Sequence, residues 1–241
     1  MIQALTDAQM LTIWERGLAL GATDRSLLAI QVAQPDVDPQ ELRRWPLGRR
    51  DALLLELRGA TFGPRLQYRA RCPGCLAELE FDVTVASLRQ DGASRGDALT
   101  LEIEGQRVTV RAPTSEDLHA IEDMEDAARA SDALWHRCVS IEGMDSSSPP
   151  PASDSLRAAV ESQLERADPQ ADLSFSLSCA ACSRNWIAPC DMADTLWREI
   201  VESARDVLAQ VDALARRYGW TEQEILQLSR VRRDLYLGFA E

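Results

Sequence analysis

The sequence predicts an α+β fold, with helical N- and C-terminal parts around a central antiparallel β unit. Three observations lead there. Capping signals and helical apolar spacing fill residues 1–60 and 191–241. Between them, short stretches alternate apolar and polar residues and are enriched in β-branched types, the pattern of half-buried strands. Finally, two Cys-x-x-Cys motifs, at 72–75 and 179–182, each fall in the turn between two such stretches.

In LTDAQM, Thr6 is placed to cap a helix. Gln9 stands three residues on to complete a capping box, and Leu5 and Met10 are spaced as a hydrophobic staple. Met10, Ile13, Trp14, Leu18 and Leu20 continue the apolar spacing to an expected stop at Gly21. A second helix is expected over about 24–33, with Leu27, Leu28 and Ile30 inward. VDPQEL starts a third. Asp38 caps, Pro39 suits the first helical position, Glu41 closes the box, and Val37 and Leu42 staple it. After a break at Trp45-Pro46, LGRRDALLLELR reads as a helix ending before Gly59.

RLQYRARCPGCLAELEFDVTV then reads as a β-hairpin whose turn carries the first cysteine pair. ALTLEIEGQRVTVRAP is a second hairpin around Glu104-Gly105-Gln106, with Leu99, Leu101, Ile103, Val108 and Val110 alternating. The acidic stretch 115–144 is expected to be helical. DSSSPPPASDS, with three prolines among serines, marks a loop at 145–154, and a short helix follows over about 155–166. In ADLSFSLSCAACSRNWIAPC, Leu173, Phe175 and Leu177 alternate before the second cysteine pair, and Trp186 and Ile187 return beyond it.

The tail is the most regular part. Leu196, Ile200, Val207, Val211, Leu214 and Tyr218 line one face of a helix over about 192–218, which Gly219 stops. WTEQEI restarts a helix, with Thr221 as cap, Glu224 closing the box, and Trp220 and Ile225 as staple. DPQELRRWPLGRRDALL (38–54) and TEQEILQLSRVRRDLYL (221–237) align without gaps, which suggests two similar helical docking units.

Composition bounds the function. The chain has 241 residues and is 45% hydrophobic, enough for a real core. Its net charge of −13 argues against general nucleic-acid binding, which needs clustered cations. All 26 basic residues are arginine, which fits a GC-rich coding sequence. No apolar run reaches the length of a membrane span, and MIQALTDAQM lacks the basic-then-apolar order of a signal peptide, so a soluble, cytoplasmic chain is expected. Glycine-rich phosphate loops, His-Glu-x-x-His and Gly-x-Ser-x-Gly are absent from the sequence. His119 falls in an acidic, solvated stretch. His136 and Cys138 are two positions apart, on different faces of a helix, and form no nucleophile pair. No enzyme and no small-molecule substrate are expected.

Cysteine usage points instead to a metal. In a reducing compartment a disulfide framework is not expected. A tetrahedral zinc ion takes four thiolates, and two tight turns each offer two from one side. Cys72, Cys75, Cys179 and Cys182 are therefore the expected ligands of one structural Zn2+ per chain, in a zinc-ribbon-like unit built from 61–113 and 169–190. Cys138 and Cys190 read as core filling, with Cys190 a minor substitute ligand. Buried free thiols remain the plain alternative.

RRDALLLELRGATFGPRL, CPGC, ERADPQADLSFSLSCAACSRNWIAPCDM and LWREI followed by DALARRYGWTEQEILQLSRVRRDLYL together resemble one family. It is the family of baseplate-associated proteins of contractile-tailed phages and bacterial contractile injection systems, similar to the baseplate hub assembly proteins of T-even-type phages. The resemblance covers nearly the whole chain and is most specific in its last fifty residues. It implies a non-enzymatic assembly factor or structural component of a contractile baseplate, bound to baseplate or hub proteins in the bacterial cell or in the finished particle. It also implies zinc knuckles at the four cysteines, although Leu76 and Ser183 stand where zinc ribbons often carry glycine. Trp220, Tyr236, Leu237 and Phe239 are candidates for a hydrophobic partner anchor. The expected layout is thus a helical part at 1–60, the β unit, an acidic helical insertion at 114–168, and a helical part at 191–241. Two other classes stay open: a zinc-ribbon adaptor in transcription or RNA handling, which predicts a basic face, and a thiol oxidoreductase, which predicts one reactive cysteine and no metal.

Overall fold

Thr6 opens the first helix, α1 (Asp7–Gly17), through the expected box: its hydroxyl accepts from the Gln9 N–H and Gln9 Oε1 accepts from the Thr6 N–H. The computed structural model describes residues 2–90, 96–103, 105–143 and 153–239. Helix α1 ends at Gly17, four residues before the expected stop. The Gly17 carbonyl, at the helix end, accepts from the Leu20 N–H at 3.1 Å and from Arg25 Nε at 2.9 Å. Gly21 instead caps α2 (Ala22–Ala33). In α3 (Pro39–Arg43), Asp38 accepts from the N–H groups of Gln40 and Glu41. Glu41 does not close a box; its carboxylate accepts from the Trp45 indole at 3.3 Å. Helix α4 (Leu47–Phe62) runs through Gly59 and stops at Gly63, whose φ of 95° is open to glycine. Gly59 has a different reason: a Cβ there would lie 2.9 Å from Val85 Cγ2.

Strands β1 (Arg65–Arg71) and β2 (Glu78–Thr84) form the first hairpin, with Tyr68 opposite Phe81. The short helix α5 (Val85–Leu88) follows. Strands β3 (Leu99–Ile103) and β4 (Gln106–Val110) form the second hairpin; Glu104 of its turn lies outside the described residues.

The expected helix over 115–144 is instead three elements: α6 (Ser115–His119), α7 (Ala127–Cys138) and strand β5 (Val139–Ile141). The strand pairs with β4, Val110 opposite Val139 and Val108 opposite Ile141. Two β-branched residues two apart supply an apolar sheet face, and it packs on Leu156 and Val160 of α8 (Asp154–Ala167). Of the Pro/Ser stretch 145–154, only Ser153, the cap of α8, and Asp154 are described.

A 3-10 turn at Pro169–Ala171 leads into the third hairpin, β6 (Ser174–Ser178) and β7 (Asn185–Pro189). The long helix α9 (Met192–Tyr218) ends at Gly219 in the left-handed conformation, φ 70°. Helix α10 (Glu222–Gln227) carries the expected Thr221–Glu224 box, and α11 (Arg230–Gly238) restarts from Ser229.

The helical ends flank the short antiparallel sheets and meet in one core. Met10 and Ile13 of α1, Ile30 of α2, Leu54 and Leu57 of α4, and Leu196 and Ile200 of α9 are almost fully buried together. Each such side chain contributes about 1.5–3 kcal/mol of apolar burial. The two similar stretches fold alike. Asp38 and Thr221 cap short helices, Leu42 and Ile225 are buried in them, and Leu47 and Arg230 begin the helices that follow. The matched arginines Arg50 and Arg233 are both buried.

Candidate metal centre

The two cysteine turns are built in the same way. Cys72 N–H donates to the Ala77 carbonyl, and Leu76 N–H donates back to Cys72 O, both at 2.9 Å. In the other turn Cys179 N–H donates to Arg184 O at 2.9 Å and Ser183 N–H to Cys179 O at 2.8 Å. Each turn closes only if the residue after its second cysteine is left-handed, and Leu76 and Ser183 have φ of 63° and 58°. Gly74 lets the turns approach: a Cβ there would fall 2.9 Å from Arg184 Cδ and 3.6 Å from Cys182 Sγ.

The approach brings all four predicted cysteines together. Cys72 Sγ lies 3.6 Å from Cys182 Sγ, Cys75 Sγ lies 3.5 Å from Cys179 Sγ, and all four sulfurs fall within 4.8 Å of one another. Four thiolates about 2.3 Å from a tetrahedral ion require separations of this order, so the set can hold one metal ion. Cys72 and Cys179 are buried, and Cys75 and Cys182 face outward.

Thiol chemistry at the cluster is uneven. Desolvation raises the Cys72 pKa, but the N–H groups of Cys75 and Gly74 and the thiols of Cys182 and Cys179 outweigh it and bring it down to about 6. At Cys182 the Arg184 N–H lowers the pKa, yet the thiol is pushed up to about 12 by its bonds to Cys75 and Cys72 and by desolvation. Hydrogen bonds within the cluster thus favour a negative charge shared among its sulfurs, and metal binding must displace the protons that remain.

An aromatic group supports the paired turns from below. Phe175 of β6 meets Tyr68 of β1 at 4.9 Å and Phe81 of β2 at 5.0 Å between ring centres. Leu66, Leu173 and Met192 close the cluster. The Tyr68 hydroxyl lies 3.1 Å from Cys190 Sγ and 3.2 Å from Thr195 Oγ1. Cys190 therefore belongs to this core and lies apart from the four-sulfur cluster. Cys138 is also buried, its thiol pushed up to about 11 by desolvation and the Asp117 carboxylate. His119 is exposed beside Glu122, and His136 lines an acidic cleft on α7.

The four candidate anchor residues have different surroundings. Trp220 stacks on Tyr218 at 4.6 Å and meets Tyr236 edge-on at 4.9 Å, so both are half-buried in an aromatic group. Leu237 is half-buried and Phe239 is exposed. Sequence reasoning missed Val231 and Leu235, which are exposed on the same helix. Their spacing of four, continued by Phe239, was the available signal. It also missed the buried arginines, since arginine is ordinarily a surface residue.

Comparison with protein-family models, with curated proteins and with solved structures finds no match. Among the described residues no helix is long and apolar enough to cross a membrane.

Proposed function

We propose that the chain is a non-enzymatic assembly factor or structural component of a contractile baseplate, stapled by one zinc ion bound through four cysteine sulfurs. The observation that carries the metal reading is the closure of Cys72, Cys75, Cys179 and Cys182 into one cluster from two hairpins more than a hundred positions apart. Four sulfurs complete a tetrahedral shell and leave no position for water or substrate, so an ion held there would stabilise and not catalyse. Its binding free energy would act as folding free energy, locking the third hairpin to the first. The baseplate reading is supported by the sequence resemblance, most specific in the region of α9 to α11, and by net charge unsuited to nucleic acid.

Two measurements test the proposal. Protein prepared without added metal should contain about one zinc per chain, with four thiols unreactive until a chelator is added. Metal-free protein with freely reactive thiols would favour redox chemistry. Deleting the chain from a cell that makes contractile particles should leave tails without complete baseplates in electron micrographs. Intact, infective or injecting particles would overturn the baseplate reading while leaving the metal reading in place.

A further inference from the structure

Val231 and Leu235 of α11 and its C-cap residue Phe239, whose backbone is still helical, follow one another at intervals of four and so share one face, with 70%, 57% and 67% of their surface exposed. Such a concentration of large apolar side chains on a nine-residue helix marks an interaction face. The internal repeat shows how this face is treated elsewhere. Gly48 of α4 matches Val231, and its N–H donates to Asp168 Oδ2 at 3.0 Å. The turn at Asp168–Ala171 lies so close that a Cβ on Gly48 would fall 1.9 Å from Asp168 Oδ1. An acid-led turn of the chain itself covers this one position in the first unit, whereas in the second the bulkier Val231 stands exposed.

Charge narrows the occupant. Arg232 is exposed beside the apolar face, and Arg217, at the end of α9, bonds the Phe239 carbonyl. Exposed Asp234 offsets Arg232, so Arg217 and the Arg230–Arg233 pair about Asp7 leave this apolar face a small net positive charge in a chain of net charge −13. Its complement exists on the same molecule. The acidic turn after α6 carries Asp123, Glu125 and Asp126 around Met124, which is 43% exposed. It walls a cleft of about 710 Å³ against α7, where Ala133 adds apolar floor and the four carboxylates, Asp132 included, outnumber Arg129.

We propose that the Val231–Leu235–Phe239 face of one copy docks into the Met124 cleft of a second copy, giving a head-to-tail contact. Each copy carries one face and one cleft, so the contact is heterologous and can extend beyond two chains. The inference goes beyond the baseplate reading and does not require metal at the cysteines. The patch is smaller than a standard interface of roughly 1,600 Å², so a dissociation constant on the order of tens of micromolar is expected.

Sedimentation velocity on the full chain tests it. The weight-average mass should rise with concentration at low salt, and raising ionic strength to about 0.5 M should weaken association roughly tenfold. Leu235→Glu and the double variant Asp123→Arg/Glu125→Arg change exposed side chains, and unchanged thermal unfolding would show that both fold. Each alone should stay monomeric, while an equimolar mixture should form dimers and stop there. Wild-type protein that stays monomeric, either variant associating like wild type, or a mixture that fails to pair would each overturn the proposal.

Discussion

Leu76 and Ser183 occupy equivalent positions after the second cysteine of each turn and share a left-handed backbone, φ 63° and 58°. Neither is glycine, so each carries a Cβ in a conformation that costs roughly 1–2 kcal/mol for an L-residue. Leu76 is also 67% exposed, so its side chain returns little packing energy. Leu76→Gly and Ser183→Gly are expected to stabilise the metal-loaded protein by about 0.5–1 kcal/mol each, after glycine's greater unfolded-state entropy is offset. A higher urea midpoint at unchanged slope would show this. A lower midpoint would mean that the Leu76 side chain has a packing role.

Chelation bears on the same turns. Removing a structural metal is expected to cost several kcal/mol or more, since the bound ion contributes to folding. Cys75→Ser and Cys182→Ser should each abolish stoichiometric binding. The proton count gives a sharper check. The N–H groups of Cys75 and Gly74 and the neighbouring thiols bring the Cys72 pKa down to about 6, so binding at pH 7 should release fewer protons than binding at pH 5. Affinity should fall as pH drops through this range, since protons then compete with the metal for the sulfurs. Calorimetry in buffers of different ionisation enthalpy measures the number directly.

The features legible in the sequence were those encoded locally. The boxes at Thr6 and Thr221 depend on residues three apart, and both form. The cysteine spacing carried the metal cluster because a two-residue gap on a tight turn already fixes half of a tetrahedron. Helix ends failed where glycine serves a distant contact: Gly21 admits Glu122 and Gly59 admits Val85, neither predictable from neighbours. Strand Val139–Ile141 was hidden because its partner, β4, lies far back in the chain. The buried arginines were hidden for the same reason, since Arg58 meets Glu199 across 141 positions.

Asp117 offers a pH test. It is 1% exposed and accepts from Arg111 through both oxygens, from the Thr114 hydroxyl and N–H, and from Arg137. Desolvation would raise its pKa, but these donors outweigh it and hold the carboxyl far below the usual range. A depressed folded pKa adds stability that is complete above the unfolded value near 3.9 and is lost as pH falls toward the folded one. Stability should therefore decline below about pH 4, and Asp117→Asn should flatten that decline while costing about 2–4 kcal/mol at pH 7. An unchanged acid limb would assign acid unfolding to other carboxylates.

Asp7 accepts from both Arg230 and Arg233, tying α11 to the start of α1. Arg233 is 1% exposed, yet among the described residues its Nε and Nη1 have no hydrogen-bond partner. A buried charge so incompletely satisfied contributes little net stability, and an apolar replacement of similar length avoids the desolvation cost. Arg233→Met is expected to lie within about 1 kcal/mol of wild type, or to stabilise, because Arg230 still pairs with Asp7. Asp7→Ala leaves both guanidinium groups without their carboxylate and should cost about 3 kcal/mol or more. Urea unfolding of the two variants separates them, and a large loss in Arg233→Met would reveal a partner for its free N–H groups.

The Arg58 guanidinium, by contrast, uses its whole fork. Nε and Nη2 hold Glu199 of α9 at 2.8 and 2.6 Å, while Nη1 donates to the carbonyls of Gly63 and Arg65 at 2.7 Å each. The first hairpin is therefore fixed to α9 at its root, and β6–β7 reaches it through Phe175. Lysine keeps the charge but cannot span a bidentate carboxylate and two carbonyls together. Arg58→Lys is expected to cost about 2–4 kcal/mol and to weaken metal binding roughly tenfold, as loss of outer support does at metal sites. Competition against a chromogenic chelator reads the second effect. If stability falls while metal affinity holds, Phe175 and the two turns position the sulfurs without the Arg58 anchor, and Phe175→Leu should then produce the larger loss of affinity.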